Sequence, residues 1–195
     1  MTQTIPQTES HPLEPFLPKH AHILLLGSFP PQSHRWSMNF FYPNFQNDMW
    51  RIMGLIFFNN KDQFVDNVHK SFKEKEVIDF CNSKGFAIFD TATSIKRLKD
   101  NASDKFLEVV EPTDIKALLD KIPECKAIVT TGEKATETLA GLFNCAMPKI
   151  SEYTELTYND RGIRLYRMPS SSRAYPLALS KKAEVYGNML KELGY

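Results

Sequence analysis

Four short apolar runs divide the chain: residues 23–26 (ILLL), 86–89 (FAIF), 127–129 (AIV) and 163–168 (IRLYRM). Near-continuous apolar character over so few residues predicts strands covered on both faces, as in a parallel sheet. Between them the apolar spacing becomes helical. Residues 47–57 carry Met49, Trp50, Ile52, Met53, Ile56 and Phe57, and residues 61–84 carry Val65, Val68, Phe72, Val77, Ile78 and Cys81 ahead of Gly85 as a cap. Residues 112–122 set Ile115, Leu118, Leu119 and Ile122 on one face behind Thr113 as cap. Residues 133–143 follow a glycine turn, and residues 180–193 turn Ala183, Tyr186, Met189, Leu190 and Leu193 inward behind Ser180. Strands alternating with helices predict an α/β fold, a three-layer α/β/α sandwich around a mainly parallel sheet of four strands.

Two stretches stand apart. Residues 1–20 hold Pro6, Pro12, Pro15 and Pro18, too many for a helix, and predict an arm lying loosely on a single domain of residues 21–195. Residues 91–110 lack periodicity, and the polar KDNASDK at 99–105 predicts a surface excursion.

Composition narrows the picture. A chain of 195 residues, 42% hydrophobic and 24% charged, is large and apolar enough for one domain with a real core. No run approaches the ~18 apolar residues of a membrane span, and the polar start MTQTIPQTES is unlike a signal peptide, so a cytoplasmic protein with no membrane partner is expected. Cys81, Cys125 and Cys145 are odd in number and free of CxxC or Cys/His spacing, which predicts buried thiols and no metal site. The net charge of +1 rules out a basic coat but not a local patch. Arg161, Arg164, Arg167, Arg173, Lys181, Lys182 and Lys191 face only Glu184 and Glu192 in the last 35 residues, although strand arginines on a wet face would give the same count.

Chemistry concentrates at the strand ends: Gly27-Ser28-Phe29-Pro30-Pro31, Asp90-Thr91, Thr130-Thr131-Gly132 and Met168-Pro169-Ser170-Ser171-Ser172-Arg173. In a parallel sheet these ends share an edge and can converge on one cleft. The serine run offers hydroxyls and N–H groups for a phosphate, with Arg173 beside it. Phe29, Phe40, Phe41, Tyr42 and Phe45 offer flat faces for a base. The alternative is that the serines cap the last helix and the rings are core. GxGxxG and GxxxxGK[ST] are both absent.

The strings themselves carry a resemblance. Met168-Pro169-Ser170-Ser171-Ser172, the spacing YPxxxNxxW from Tyr42 through Asn47 to Trp50, and Gly27-x-x-Pro30 after the first strand together resemble signatures of the uracil-DNA glycosylase superfamily, in the correct order over about residues 22–195. The thymine and mismatch-specific uracil enzymes carry an asparagine in the opening signature where this chain has Phe29. The hypoxanthine-DNA glycosylase branch has an apolar residue there, keeps an asparagine matching Asn47, and has a strand ending in aspartate as at Asp90, so the chain is most similar to that branch.

The resemblance implies a monomeric, monofunctional N-glycosylase that flips a damaged or mismatched base out of DNA and cuts its glycosidic bond, with no metal or other cofactor. Three scattered cysteines cannot build the four-cysteine iron–sulfur site of some relatives. Asn47 and Asp90 are then the catalytic candidates; Gly27, Ser28, Phe29 and Tyr42 form the base pocket, with Tyr42 as the stacking face. Ser170, Ser171, Ser172 and Lys134 contact DNA, and Arg173 is the wedge that fills the space left by the flipped nucleotide. Each has a plainer alternative: Asn47 as a helix cap, Asp90 paired with a nearby base, Lys134 solvated. Because an ionised carboxylate only accepts, Asp90 points to hypoxanthine or xanthine ahead of uracil. A damaged-DNA-binding protein that has lost base release is the alternative, and Phe29 is its supporting feature.

Overall fold

The computed structural model describes residues 7–98 and 106–195. Its central sheet has five strands in the order β5 (Phe86–Asp90), β2 (Ile23–Gly27), β8 (Ala127–Thr131), β10 (Arg161–Met168) and β9 (Tyr153–Tyr158). The four strands expected from the apolar runs are present and mutually parallel. Every residue of β2, β5 and β8 is buried, so both faces of the sheet are covered. The fifth strand corrects the four-stranded expectation. β9 pairs antiparallel with β10 through a two-residue turn, Asn159-Asp160, in which both residues have positive φ (48° and 59°). That is the turn whose twist suits a tight hairpin.

The chain leaves β2 through α1 (Met49–Phe58) and α2 (Glu74–Lys84) to reach β5 on one side. It then returns past β2 through α3 (Ile115–Lys121) to β8, and through α4 (Glu133–Phe143) to β10. Parallel crossovers are right-handed as a rule, so the opposite directions of travel imply α1 and α2 on one face and α3 and α4 on the other. The closing helix α5 (Leu179–Glu192) packs on α1. The strand order reverses between β2 and β8, so a crevice opens outside their carboxyl ends.

Three helix expectations shift. Residues 61–84 are not one helix: a hairpin of β3 (Val65–Asp66) and β4 (Ser71–Phe72) precedes α2. The Asp66 carboxylate accepts the N–H groups of Val68 and His69 at 3.0 and 3.1 Å, giving the backbone a turn in place of a helix. Asp114, not Thr113, caps α3 by accepting the Ala117 N–H at 3.0 Å. Ser180 lies inside α5, whose cap position is Ala178.

Residues 91–110 and the arm also differ from expectation. β1 (Thr8–Ser10), β6 (Ala92–Arg97) and β7 (Leu107–Pro112) form a second, antiparallel sheet. The described part of the arm, residues 7–20, is therefore bonded in place: the His11 backbone N–H donates to the Thr93 carbonyl at 2.8 Å, and Phe16 bridges Ile88. Only Leu107 of β7 is buried, so the strand shows no alternation to read. The KDNASDK segment lies outside the described residues.

Cys81 and Cys125 sit in the core, where burial pushes the Cys125 thiol up to about 11 and Cys81 higher still. Since the thiolate is the reactive form, Ellman's reagent is expected to titrate only Cys145 in the native protein and all three cysteines after denaturation. Rapid native reaction of more than one thiol would contradict this packing.

Candidate active site

A cleft of about 1640 Å³ opens at the carboxyl edge of β2, β5, β8 and β10. All the residues expected to act line it: Gly27, Ser28, Phe29, Tyr42, Asn47, Asp90, Lys134, Ser170, Ser171, Ser172 and Arg173. Arg35, Arg97 and Arg167 add positive charge against Glu133 and Glu137.

The wall around Asn47 and the serine loop is built by buried polar bonds. Asp48 and Lys182 are 4% and 0% exposed, and Asp48 Oδ2 accepts from Lys182 Nζ at 3.2 Å while Oδ1 accepts from Arg173 Nε at 3.2 Å. Lys182 also donates to the Ser172 carbonyl at 2.7 Å, and Tyr186, one turn further along α5, donates to the Pro169 carbonyl at 2.7 Å. Burial holds the Tyr186 hydroxyl well above the ordinary tyrosine range, so it stays a donor. The Asp48 N–H donates to the Ser171 carbonyl at 2.8 Å. Three carbonyls of residues 169–172 are thus drawn toward α1 and α5. Ser170 and Ser172 accept the N–H groups of Ser172 and Ala174 through their oxygens, which leaves both hydroxyl protons to donate.

Asn47 lies one residue before Asp48, the cap position of α1, and closes a turn onto the helix start: its Oδ1 accepts the Met49 N–H at 2.9 Å. Since only an oxygen can accept there, the amide orientation is fixed and its NH2 donors are the part turned to other uses. Arg51 donates to the Asn47 and Phe45 carbonyls at 3.1 and 3.0 Å. Burial first, then the charge of Arg173, pull Arg51 below the ordinary guanidinium value.

The opposite wall is the end of β2 against β5. Asp90 is 7% exposed, and its Oδ1 lies so close to Gly27 that a Cβ there would approach it to 2.4 Å. Asp90 Oδ2 is 2.9 Å from His11 Nε2. The Ser28 hydroxyl is buried and, with Gln32 Oε1, has no hydrogen-bond partner among the described residues. Phe29 is 9% exposed and packs with Ala92, Ile95 and Leu107 in a second small core.

Other candidates are placed differently from their simplest reading. Lys134 donates to the Leu107 carbonyl, so its ammonium is committed to β7. Arg173 is held back by Asp48 and by Gln46 Oε1 at 2.9 Å. Phe40 and Phe45 are structural: Phe40 packs edge-on to Phe16, and Phe45 lies under the Arg51 guanidinium. Tyr42 has φ of 52°, and its hydroxyl is 3.4 Å from Thr131 Oγ1. The basic C-terminal residues do not form a patch. Arg161 bonds the carbonyls of Leu119, Ile122 and Pro123, Arg167 pairs with Glu133, and Lys182 is buried.

Sequence reading missed His11, Glu9, Asp48 and Lys182. A signal existed for Lys182, which shares the helical stripe of Tyr186 and Met189 and so had to be buried with a partner. None existed for His11, which is placed by a strand pairing 79 residues away from Asp90.

Fold and cleft together define an α/β protein with a polar cleft at the carboxyl edge of a mainly parallel sheet. A Methanosarcina acetivorans protein solved by solution NMR and described as a "putative Uracil DNA glycosylase" matches with a TM-score of 0.59 at 19% identity, over 93% of this chain and 98% of that one. No family model and no curated protein matches the sequence.

Lys182→Met removes one partner of a buried charge, and is expected to cost about 3–5 kcal/mol in urea unfolding. A loss below about 1 kcal/mol would show that Arg173 alone sustains Asp48.

Proposed function

We propose that this chain is a monomeric, monofunctional DNA N-glycosylase that releases a deaminated base in base excision repair. The observation that carries the proposal is the convergence of Asn47, Asp90, Tyr42 and the serine loop on one cleft at the strand-order reversal. Departure of a base leaves an oxocarbenium-like sugar and an anionic base, so donors must meet the base oxygens as charge develops. The Asn47 NH2 group and the unpartnered Ser28 hydroxyl are such donors. Tyr42 and Phe41 supply faces at the cleft wall, and Ser170 and Ser172 supply hydroxyl donors to a phosphate.

Asp90 orders the substrates. A carboxylate oxygen accepts an N–H but repels a neighbouring carbonyl. The N–H of uracil lies between two carbonyls, whereas N1–H of hypoxanthine has a carbonyl on one side and a C–H on the other. Hypoxanthine is therefore preferred, ahead of xanthine and uracil. A second reading rests on Phe29, which stands where the thymine and mismatch-specific uracil enzymes that the sequence resembles carry an asparagine: a protein that binds damaged DNA without releasing the base.

Duplexes containing deoxyinosine, deoxyxanthosine, deoxyuridine or a G·T mismatch, treated with the protein and then alkali, are expected to break fastest at deoxyinosine. Breakage at none of them overturns the enzymatic reading, and salt-dependent binding without breakage would establish the second. Asn47→Ala is expected to lower kcat by about 10²- to 10³-fold, the usual effect of losing one donor to a developing anion. Gly27→Ala, whose Cβ displaces the Asp90 carboxylate, is expected to reduce the preference for deoxyinosine over deoxyuridine, and an unchanged ratio would remove Asp90 from base reading.

A further inference from the structure

The arm before β2 has no part in the reaction as proposed, yet it grips cleft residues at two points. Glu9 of β1 takes the Arg97 guanidinium through both oxygens, Nε to Oε1 at 3.1 Å and Nη2 to Oε2 at 3.0 Å, and Arg97 Nη2 also donates to the Pro30 carbonyl at 3.2 Å. One arginine thereby joins the arm, β6 and the loop after β2. Two residues beyond Glu9, His11 reaches Asp90, with its side chain 3% exposed. Its ring is walled by Phe89 at 4.6 Å, Phe29 at 5.2 Å edge-on and Phe41 at 6.2 Å. These rings keep water from competing for Asp90 Oδ2.

We propose that His11 is a positioning residue of the site, which commits Oδ2 of Asp90 and so leaves Oδ1 as a single hydrogen-bond acceptor for the base. This rests on the glycosylase reading. Two bare acceptors cannot sit 2.9 Å apart, so one proton lies between Nε2 and Oδ2. The other ring nitrogen, Nδ1, is 3.1 Å from the Leu13 N–H and 2.8 Å from the Leu13 carbonyl. The shorter contact, to the Leu13 carbonyl, needs a proton by the same rule, so Nδ1 donates there. Either the ring is then an imidazolium donating at both ends, or the second proton sits on Oδ2. In each arrangement the proton is on the Oδ2 side and Oδ1 only accepts. His11 thus sets which chemical partner Asp90 can take: an N–H, never a carbonyl. Gly27 completes the device, because any side chain there would push Oδ1 away.

Two variants separate positioning from packing. His11→Phe keeps a ring among Phe29, Phe41 and Phe89 but has no donor, and His11→Gln restores an N–H at comparable reach. In single-turnover release from a duplex with one deoxyinosine, His11→Phe is expected to slow the chemical step about 10- to 100-fold, the effect of losing a hydrogen bond to a charged group. Its binding to that duplex should stay near the parent's, its unfolding midpoint should fall because a buried carboxylate loses its donor, and its preference for deoxyinosine over deoxyuridine should fall. His11→Gln should recover most of the rate and the preference. Parental turnover by His11→Phe, or a His11→Gln variant equally slow, overturns the proposal. An NMR measurement on the unliganded protein needs no catalysis: a slowly exchanging resonance from the proton between His11 Nε2 and Asp90 Oδ2 is expected, and should be lost in Asp90→Ala. Absence of that resonance from the parent overturns the proposal even if bases are released. Its presence, with no release from any duplex, overturns the glycosylase reading and with it the base-reading role, while leaving the His11–Asp90 pair established.

Discussion

The buried carboxylate of Asp48 is the constraint on which the site depends. A charge this deep costs several kcal/mol in desolvation unless its partners are fixed. Those partners come from far along the chain: Lys182 on α5 and Arg173 after β10. Satisfying Asp48 therefore requires α5 to lie on α1 and the serine loop to lie on the turn at Asn47, and both contacts are present. Lys182 and Tyr186, one helical turn apart, extend the same grip to two carbonyls of residues 169–172. The two loops that resemble glycosylase signatures are thus held by one network. Moving either would strand a charge in the core.

The other wall follows a different logic. Asp90 is the acceptor of the cleft, and Gly27 opposite it has no side chain because there is no room for one. The orphan oxygens, Ser28 Oγ and Gln32 Oε1, both belong to the loop after β2. An unsatisfied buried polar group costs about 1–3 kcal/mol, and native proteins hold few. A hydroxyl left unpaired beside the cleft regains that cost when a ligand bonds it. The cleft therefore favours a polar occupant between Asp90 on one side and the donors of Asn47 and the serines on the other.

The legibility of these features tracks how local their causes are. β2, β5, β8 and β10 were legible because a strand buried on both faces must be apolar throughout. The strand ends, and so the cleft residues, followed from their shared direction. β9 was legible in principle, from the alternation YTELTY ahead of Asn159-Asp160, but its half-exposed residues make a weak pattern. β1 was not legible, since its partner β6 lies more than 80 residues away in sequence, and β6 and β7, though near neighbours, pair through an irregular register and bury too little to show an alternation. The aromatic run of residues 40–45 stayed open between stacking face and core for a related reason: composition counts rings but cannot say which side of the backbone they occupy. The basic tail could not be decided from sequence, because each arginine's partner lies elsewhere in the chain: Arg161 bonds carbonyls, Arg164 stacks on Tyr153, Arg167 pairs with Glu133 and Arg173 with Asp48.

The loop from Ser28 to Asp48 contains no α-helix and no extended strand, yet its backbone groups must be satisfied where they are buried. Indoles and a hydroxyl do part of this. Trp36 Nε1 donates to the Pro31 carbonyl at 2.6 Å, Trp50 Nε1 to the Phe41 carbonyl at 3.0 Å, and Ser37 Oγ to the Pro43 carbonyl at 2.8 Å. Edge-on ring pairs of Phe40 with Phe16 and Phe41 add about 0.5–1.5 kcal/mol each. Such a loop is rigid without being regular, and that decides how a flipped base would be received. Extruding a base costs a few kcal/mol of lost stacking and pairing. A loop that also had to fold around the base would add its own ordering entropy, about 1–2 kcal/mol per residue fixed. Here the aromatic packing has already met that cost in the free protein. Under the proposed function, contacts at the base then have only the extrusion itself to offset, and the rings taken into the core are what hold the remaining cleft surface in place.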